Sequence, residues 1–197
     1  MNNPEYVKVG DREYKINTDF RVAIECDKIA RSEIDDYERA LAIIYKLFGE
    51  KGLKSDDKEE LFELGLKYLR CGKEPSNEEP DMSFEQDMDL IEASFMSDYH
   101  LDLSNQKMHW WTFNKYLNGL SNSEMGNCCI LNRVRNIRNM DISQFKGKDK
   151  DRLIEAKRQF ALKKETKLTE EQQKSADMFM MALERNNSYG WMDNNRN

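Results

Sequence analysis

The chain has 197 residues, 39% hydrophobic and 35% charged, with 37 acidic against 31 basic side chains and a formal net charge of -6. Such a composition fills one domain core of about 150 residues with a tail, and its negative balance disfavours non-specific binding to nucleic acid. There is no apolar run of about 18 residues and no cleavage-site pattern in Met1 to Val9, so neither membrane span nor signal peptide is expected, and the protein reads as soluble and intracellular.

Glu5-Tyr-Val-Lys-Val9 and Glu13-Tyr-Lys-Ile16 alternate in polarity around Gly10-Asp11, which predicts a short β-hairpin with Val7, Val9, Tyr14 and Ile16 at its packed positions. A lone hairpin needs support, expected from a first helix over about 19–31 that follows the polar caps Asn17-Thr18-Asp19 and carries Phe20, Ala23, Ile24 and Ala30. Asp35 and Asp36 offer a cap to a second helix with Tyr37, Leu41, Ile44, Tyr45 and Phe48 on its apolar face, stopped by Gly49. Ser55-Asp56-Asp57 starts a third, carrying Leu61, Leu64, Tyr68 and Leu69 and ended by Gly72. Carboxylates in a first helical turn favour the positive end of the helix dipole, so these aspartates need no catalytic role.

Lys73 to Asp81 holds two of the three prolines and reads as a solvated linker whose Glu78, Glu79 and Asp81 have nothing apolar nearby to shift them. Ser83 and Gln86 form a capping box for a fourth helix that runs to about Tyr99, with Phe84, Met88, Ile91 and Phe95 inward and Glu85, Asp87, Asp89 and Glu92 as an acidic face.

A central helix over about 104–120 follows, the most aromatic stretch of the chain. Trp110, Phe113, Leu117 and Leu120 fall three, four and three apart on one face, with Met108 and Trp111 flanking it. Adjacent indoles on a helix point about 100° apart, so this helix should be contacted from two sides. Trp110, Trp111 and Phe113 are thus core aromatics, or, if exposed, the hot spot of an interface.

Ser121-Asn-Ser-Glu124 reads as the cap of a sixth helix with Cys129, Ile130, Val134 and Ile137 apolar. Arg133, Arg135 and Arg138 on its polar side make the last two helices mimic a helix-turn-helix, but three arginines suit a solvated or salt-bridged face for which the fourth helix could supply the acids. Met140 to Phe145 is a turn with two apolar anchors, and 149–162 is a seventh helix through Leu153, Ile154, Lys157, Phe160 and Ala161.

Beyond Leu162 the character changes. Lys163 to Lys167 is a charged spacer, Thr169-Glu-Glu-Gln172 another capping box, and Met178, Phe179, Met180, Met181 and Leu183 an adaptable apolar cluster suited to binding a partner. The expected organisation is a helical domain with an N-terminal hairpin over 1–162 and an extension over 163–197, helical at 169–185 and disordered in its Asn-rich end. The fold class is mainly α.

Cys26, Cys71, Cys128 and Cys129 lack CxxC spacing, and His100 and His109 lack an HExxH-type partner, so reduced, buried or half-buried thiols are expected and no metal or other cofactor. No glycine-rich phosphate loop or nucleophile-base pair is present, so neither catalysis nor a small-molecule substrate is expected.

Several phrases in order resemble the gene product fifteen family of long-tailed bacteriophages and prophages of Gram-positive bacteria. They are Tyr14-Lys-Ile-Asn-Thr-Asp-Phe-Arg21, Tyr68-Leu-Arg-Cys-Gly72, Ser83-Phe-Glu-Gln-Asp-Met-Asp-Leu-Ile-Glu-Ala-Ser-Phe95, Tyr99-His-Leu-Asp-Leu103, His109-Trp-Trp-Thr-Phe113, Leu117-Asn-Gly-Leu120-Ser121 and Arg138-Asn-Met-Asp-Ile142. The resemblance implies a mostly helical protein whose gene lies between those of the major tail protein and the tape measure, the position of tail assembly chaperones. It carries over no catalytic residues. The implied partners are the tape-measure protein, the major tail protein and further copies of this chain, met in the host bacterial cytoplasm during phage assembly, with the protein absent from the mature virion. A structural tail component and a DNA-binding regulator are the alternatives.

Overall fold

Alternating polarity on either side of Gly10-Asp11 closes as an antiparallel pair, β1 (Tyr6–Val9) and β2 (Arg12–Lys15), with Val7 opposite Tyr14 and Val9 opposite Arg12. Gly10 takes φ +55 at the first turn position, a conformation open to glycine at little cost. The computed structural model describes residues 3–76, 79–122 and 128–163. The rest of the fold is helical: α1 (Phe20–Arg31), α2 (Asp36–Leu53), α3 (Lys58–Leu69), α4 (Phe84–Tyr99), α5 (Trp110–Asn118), α6 (Ile130–Asn139) and α7 (Gly147–Phe160). The chain is therefore mainly α with a short N-terminal hairpin. Among the described residues no helix is long and apolar enough to cross a membrane.

The hairpin leans chiefly on α2 and α3, where support from the first helix was expected. Tyr14 explains the difference: its ring meets Phe48 edge-on at 6.4 Å and its hydroxyl donates to Ser55 Oγ at 2.8 Å, both beyond α1 in the chain. Val9, Tyr14 and Ile16 are buried there.

Caps begin several helices where short polar side chains stand before apolar runs. Asp19 accepts from the Arg21 N–H, Asp35 from those of Tyr37 and Glu38, and Ser83 from that of Gln86. The Ser83 N–H in turn donates to Asp87 Oδ2 at 2.9 Å.

Helix α2 departs from its expected face and end. Ile43, Ile44, Leu47 and Phe48 are buried, whereas Tyr37 and Tyr45 are exposed. The helix packs against α1 on one side and α3 on the other, so its inner face includes Ile43 and Leu47, and the tyrosines put their hydroxyls in water. Gly49 kinks the helix rather than ending it, at φ 65 and ψ -159, and helical residues resume through Leu53. That conformation is essentially restricted to glycine, and an added Cβ would meet nothing within 4 Å, so the cost of Gly49→Ala is conformational. The variant is expected to lose about 1–3 kcal/mol in urea denaturation with no change in the folded spectrum.

Further along, the anchors expected in the turn from Met140 to Phe145 stay shallow, since Met140 and Ile142 are exposed and Phe145 is half-buried around a short 3-10 turn at Ile142–Gln144. In α7 Leu153 is buried and Ile154 exposed. By its contacts the chain divides between Leu162 and Lys163. The capping box at Thr169 to Gln172, the helix expected at 169–185 and the cluster Met178, Phe179, Met180, Met181 and Leu183 lie outside the described residues.

Candidate binding groove

The expected aromatic helix of 104–120 is shorter, with α5 beginning only at Trp110. Asp102 holds the preceding residues in a turn, accepting from the Ser104 N–H at 3.0 Å and from Asn105 Nδ2 at 2.6 Å. His109 then caps α5: its Nδ1 accepts from the Trp111 N–H at 3.0 Å, which makes Nε2 the protonated nitrogen that donates to Pro4 O at 2.9 Å. Two further bonds tie the starts of α1 and α5 together, Trp110 N to Thr18 O at 2.7 Å and Phe20 N to Met108 O at 3.0 Å.

From this start the aromatic face turns inward. Phe113 is fully buried between parallel rings, Phe20 of α1 at 4.7 Å and Phe95 of α4 at 5.2 Å. Trp110 stacks on Phe113 at 5.7 Å and meets Phe84 edge-on, while its Nε1 donates to Leu69 O at 2.8 Å. Trp111, half-buried, points the other way, stacking on Tyr68 at 6.3 Å and donating to Tyr68 O at 3.0 Å. The two indoles thus bond consecutive carbonyls at the end of α3.

Between α1, the end of α3 and α5 lies a mostly apolar groove of about 890 Å³. It exists because α1 presents small side chains there, Ala23, Cys26 and Ala30 at spacings of three and four, opposite Leu66, Leu69 and Trp111. Its volume falls in the range of ordinary ligand sites, which are apolar with a few placed polar groups. The charged side chains lining it are Asp27, Arg70, Lys73 and Lys115. Asp27 is taken up by Arg31, bonded to both its oxygens at 3.0 and 3.1 Å. Arg70 Nε is buried with no hydrogen-bond partner among the described residues.

The two thiols on the groove are poor nucleophiles. Burial pushes Cys26 up to about 12, with neighbouring Glu25 adding to it, and burial lifts Cys71 to about 11 against the opposing pull of Lys73 and Lys115. The groove can therefore bind an apolar surface but holds no activated nucleophile. With iodoacetamide on the native protein, alkylation of Cys71 is expected to accelerate about tenfold per pH unit from pH 7 to 10, as its thiolate fraction rises. Fully buried Cys26 is expected to react only through opening of the fold. Peptide mass spectrometry reads both rates, and a plateau for Cys71 near pH 8 would contradict the burial argument.

The arginines of the sixth helix sit elsewhere, and the expected cap at Ser121 to Glu124 does not begin that helix. Ser121 N donates to Asp98 Oδ2 at 2.7 Å, Ser121 O accepts from Cys129 N, and α6 starts at Ile130 behind a Cys129 cap. Its first turn is satisfied from α4, with the Leu131 N–H donating to buried Ser94 Oγ at 3.1 Å. Arg138 forks onto both oxygens of Asp87 at 2.8 Å and also reaches Asp81 O and Phe160 O. Arg135 bonds Asp81 Oδ1 at 3.1 Å and Asn139 bonds its Oδ2 at 2.9 Å. Burial would raise the Asp81 carboxyl, but the bonds from Arg135 and Asn139 hold it below the ordinary range. The fourth helix does supply an acid, but Asp87 is buried and belongs to no solvated acidic face.

Of the residues singled out in the sequence, Trp110 and Trp111 line the groove and Phe113 lies in the core beside it, while the Met-rich cluster is outside the described residues. The sequence reading missed the groove itself. Its signal was the small-residue spacing of Ala23, Cys26 and Ala30, of which the alanines were read as part of an ordinary apolar face and Cys26 as a buried or half-buried thiol. Among the described residues no group of histidine, cysteine, aspartate and glutamate is arranged to hold a metal ion. A family model described as Bacteriophage Gp15 protein matches residues 2–162. No curated protein and no solved structure matches the chain.

Proposed function

The chain belongs to the family of bacteriophage Gp15 proteins, and we propose that it serves as a tail assembly chaperone, holding the tape-measure protein before the tail tube polymerises around it. The observation that carries this reading is the groove. An apolar trough of about 890 Å³ edged by Trp111 provides a surface for a helical client, and burial holds its two thiols, Cys26 and half-buried Cys71, in the protonated form. Family resemblance supplies the client, because such genes lie between those of the major tail protein and the tape measure. The protein then acts without catalysis in the host cytoplasm and leaves its client when the tube forms. Contacts with the major tail protein or with further copies of the chain fit the same role.

Two of the three arginines that suggested DNA binding are engaged within the fold. Arg135 and Arg138 are committed to Asp81 and Asp87, and among the described residues Arg133 makes a long bond to Cys128 O at 3.4 Å.

Quantitative mass spectrometry of infected lysates and of purified virions separates the chaperone from a structural component. The protein is expected to be abundant in lysate and depleted from virions. A virion copy number comparable to that of the major tail protein would make it a component of the tail.

A further inference from the structure

We propose that the groove between α1, α3 and α5 is selective for an amphipathic helix that carries carboxylates beside its apolar face. This rests on the chaperone reading only for the identity of the client; the recognition chemistry stands on the groove. Three cations line it, Arg70, Lys73 and Lys115, and its carboxylate, Asp27, is already neutralised by Arg31. Among the described residues no ion pair involves Arg70, Lys73 or Lys115. The edge is therefore basic on a chain whose net charge is -6.

Two effects add to select an acidic occupant. The small residues of α1 and the half-buried Trp111 give apolar area to a helix face. Arg70, half-buried on the groove wall, supplies a guanidinium that gains more from a carboxylate than a fully exposed cation would. A basic occupant would instead place like charges side by side as water is expelled.

The test uses the full chain and two synthetic helical peptides of roughly 18 residues, long enough for about 27 Å of helix. They share one apolar face and differ only in flanks of glutamate or lysine. The glutamate peptide is expected to bind at least about tenfold more tightly, to weaken between about 50 and 500 mM NaCl, and to slow alkylation of Cys71. Lys73→Glu combined with Lys115→Glu should reverse the preference, and Ala30→Trp, which adds bulk to the groove without charge, should weaken binding of both peptides. Melting curves confirm that the variants fold, and the Cys71 protection on the unmodified chain reads the site without any variant.

Equal binding of the two peptides, or binding without protection of Cys71, would overturn the proposal. Co-purification of the tape-measure protein with the same variants separates this from the chaperone reading. A client retained equally by all variants leaves the chaperone reading standing and removes the groove as its contact. Acid-selective peptide binding without tape-measure capture leaves the groove standing and removes the client.

Discussion

Trp110→Ala is expected to lower the stability of the fold by about 3–5 kcal/mol, the range for removing a large buried ring. The indole is 5% exposed, stacks on Phe113, meets Phe84 edge-on and donates to the Leu69 carbonyl. Its loss opens a cavity beside the ring sandwich of Phe20, Phe113 and Phe95 and also strips the end of α3 of a donor. Trp111→Ala, at a half-buried site on the groove, is expected to cost clearly less and to weaken client binding instead. Urea denaturation of both variants checks the contrast. A Trp110 variant as stable as the parent, with client binding lost, would mean that the aromatic face serves a partner rather than the core.

Arg138→Ala is the second large expected effect, again about 3–5 kcal/mol. Asp87 is 2% exposed and takes both its side-chain charge partners from one guanidinium, so truncating Arg138 leaves a buried carboxylate without its cation. The same side chain ties α6 to α4 through Asp87, to the segment before α4 through Asp81 O and to the end of α7 through Phe160 O. Arg138→Lys should recover only part of the loss, because an ammonium cannot reproduce the fork. The double replacement Asp87→Leu with Arg138→Met should be more stable than Arg138→Ala, since it removes the unpaired charge with its partner. Denaturation midpoints of the four proteins read this directly, and an Arg138→Ala cost below about 1 kcal/mol would place the pair in effectively solvated surroundings.

What could be read from the residues follows from how local each signal is. Phe113 and Leu117 are buried as their helical spacing expects, and Asp19, Asp35 and Ser83 cap the helices they precede, because both signals lie within one or two turns. Boundaries set by distant partners were not legible. The helix expected from 104 starts at Trp110, where Trp110 N bonds Thr18 O and Phe20 N bonds Met108 O, tying its start to that of α1. The helix expected after Ser121 starts at Ile130 because Asp98 captures the Ser121 N–H and Ser94 meets that of Leu131. Asp87 stood among four acids of the fourth helix that could pair with the arginines of the sixth, but its burial against Arg138, 51 positions later, was not legible. The groove was illegible for the same reason: its walls come from α1, the end of α3 and α5, and its volume depends on the absence of bulk at Ala23, Cys26 and Ala30.

The most direct test of the chaperone role is co-expression of the tape-measure protein with and without this chain, measuring the soluble fraction and the material that co-purifies. The tape-measure protein is expected to aggregate alone, to become soluble with the chain present, and to elute bound to it. A tape-measure protein equally soluble in both cells, with no chain bound, would contradict the chaperone role.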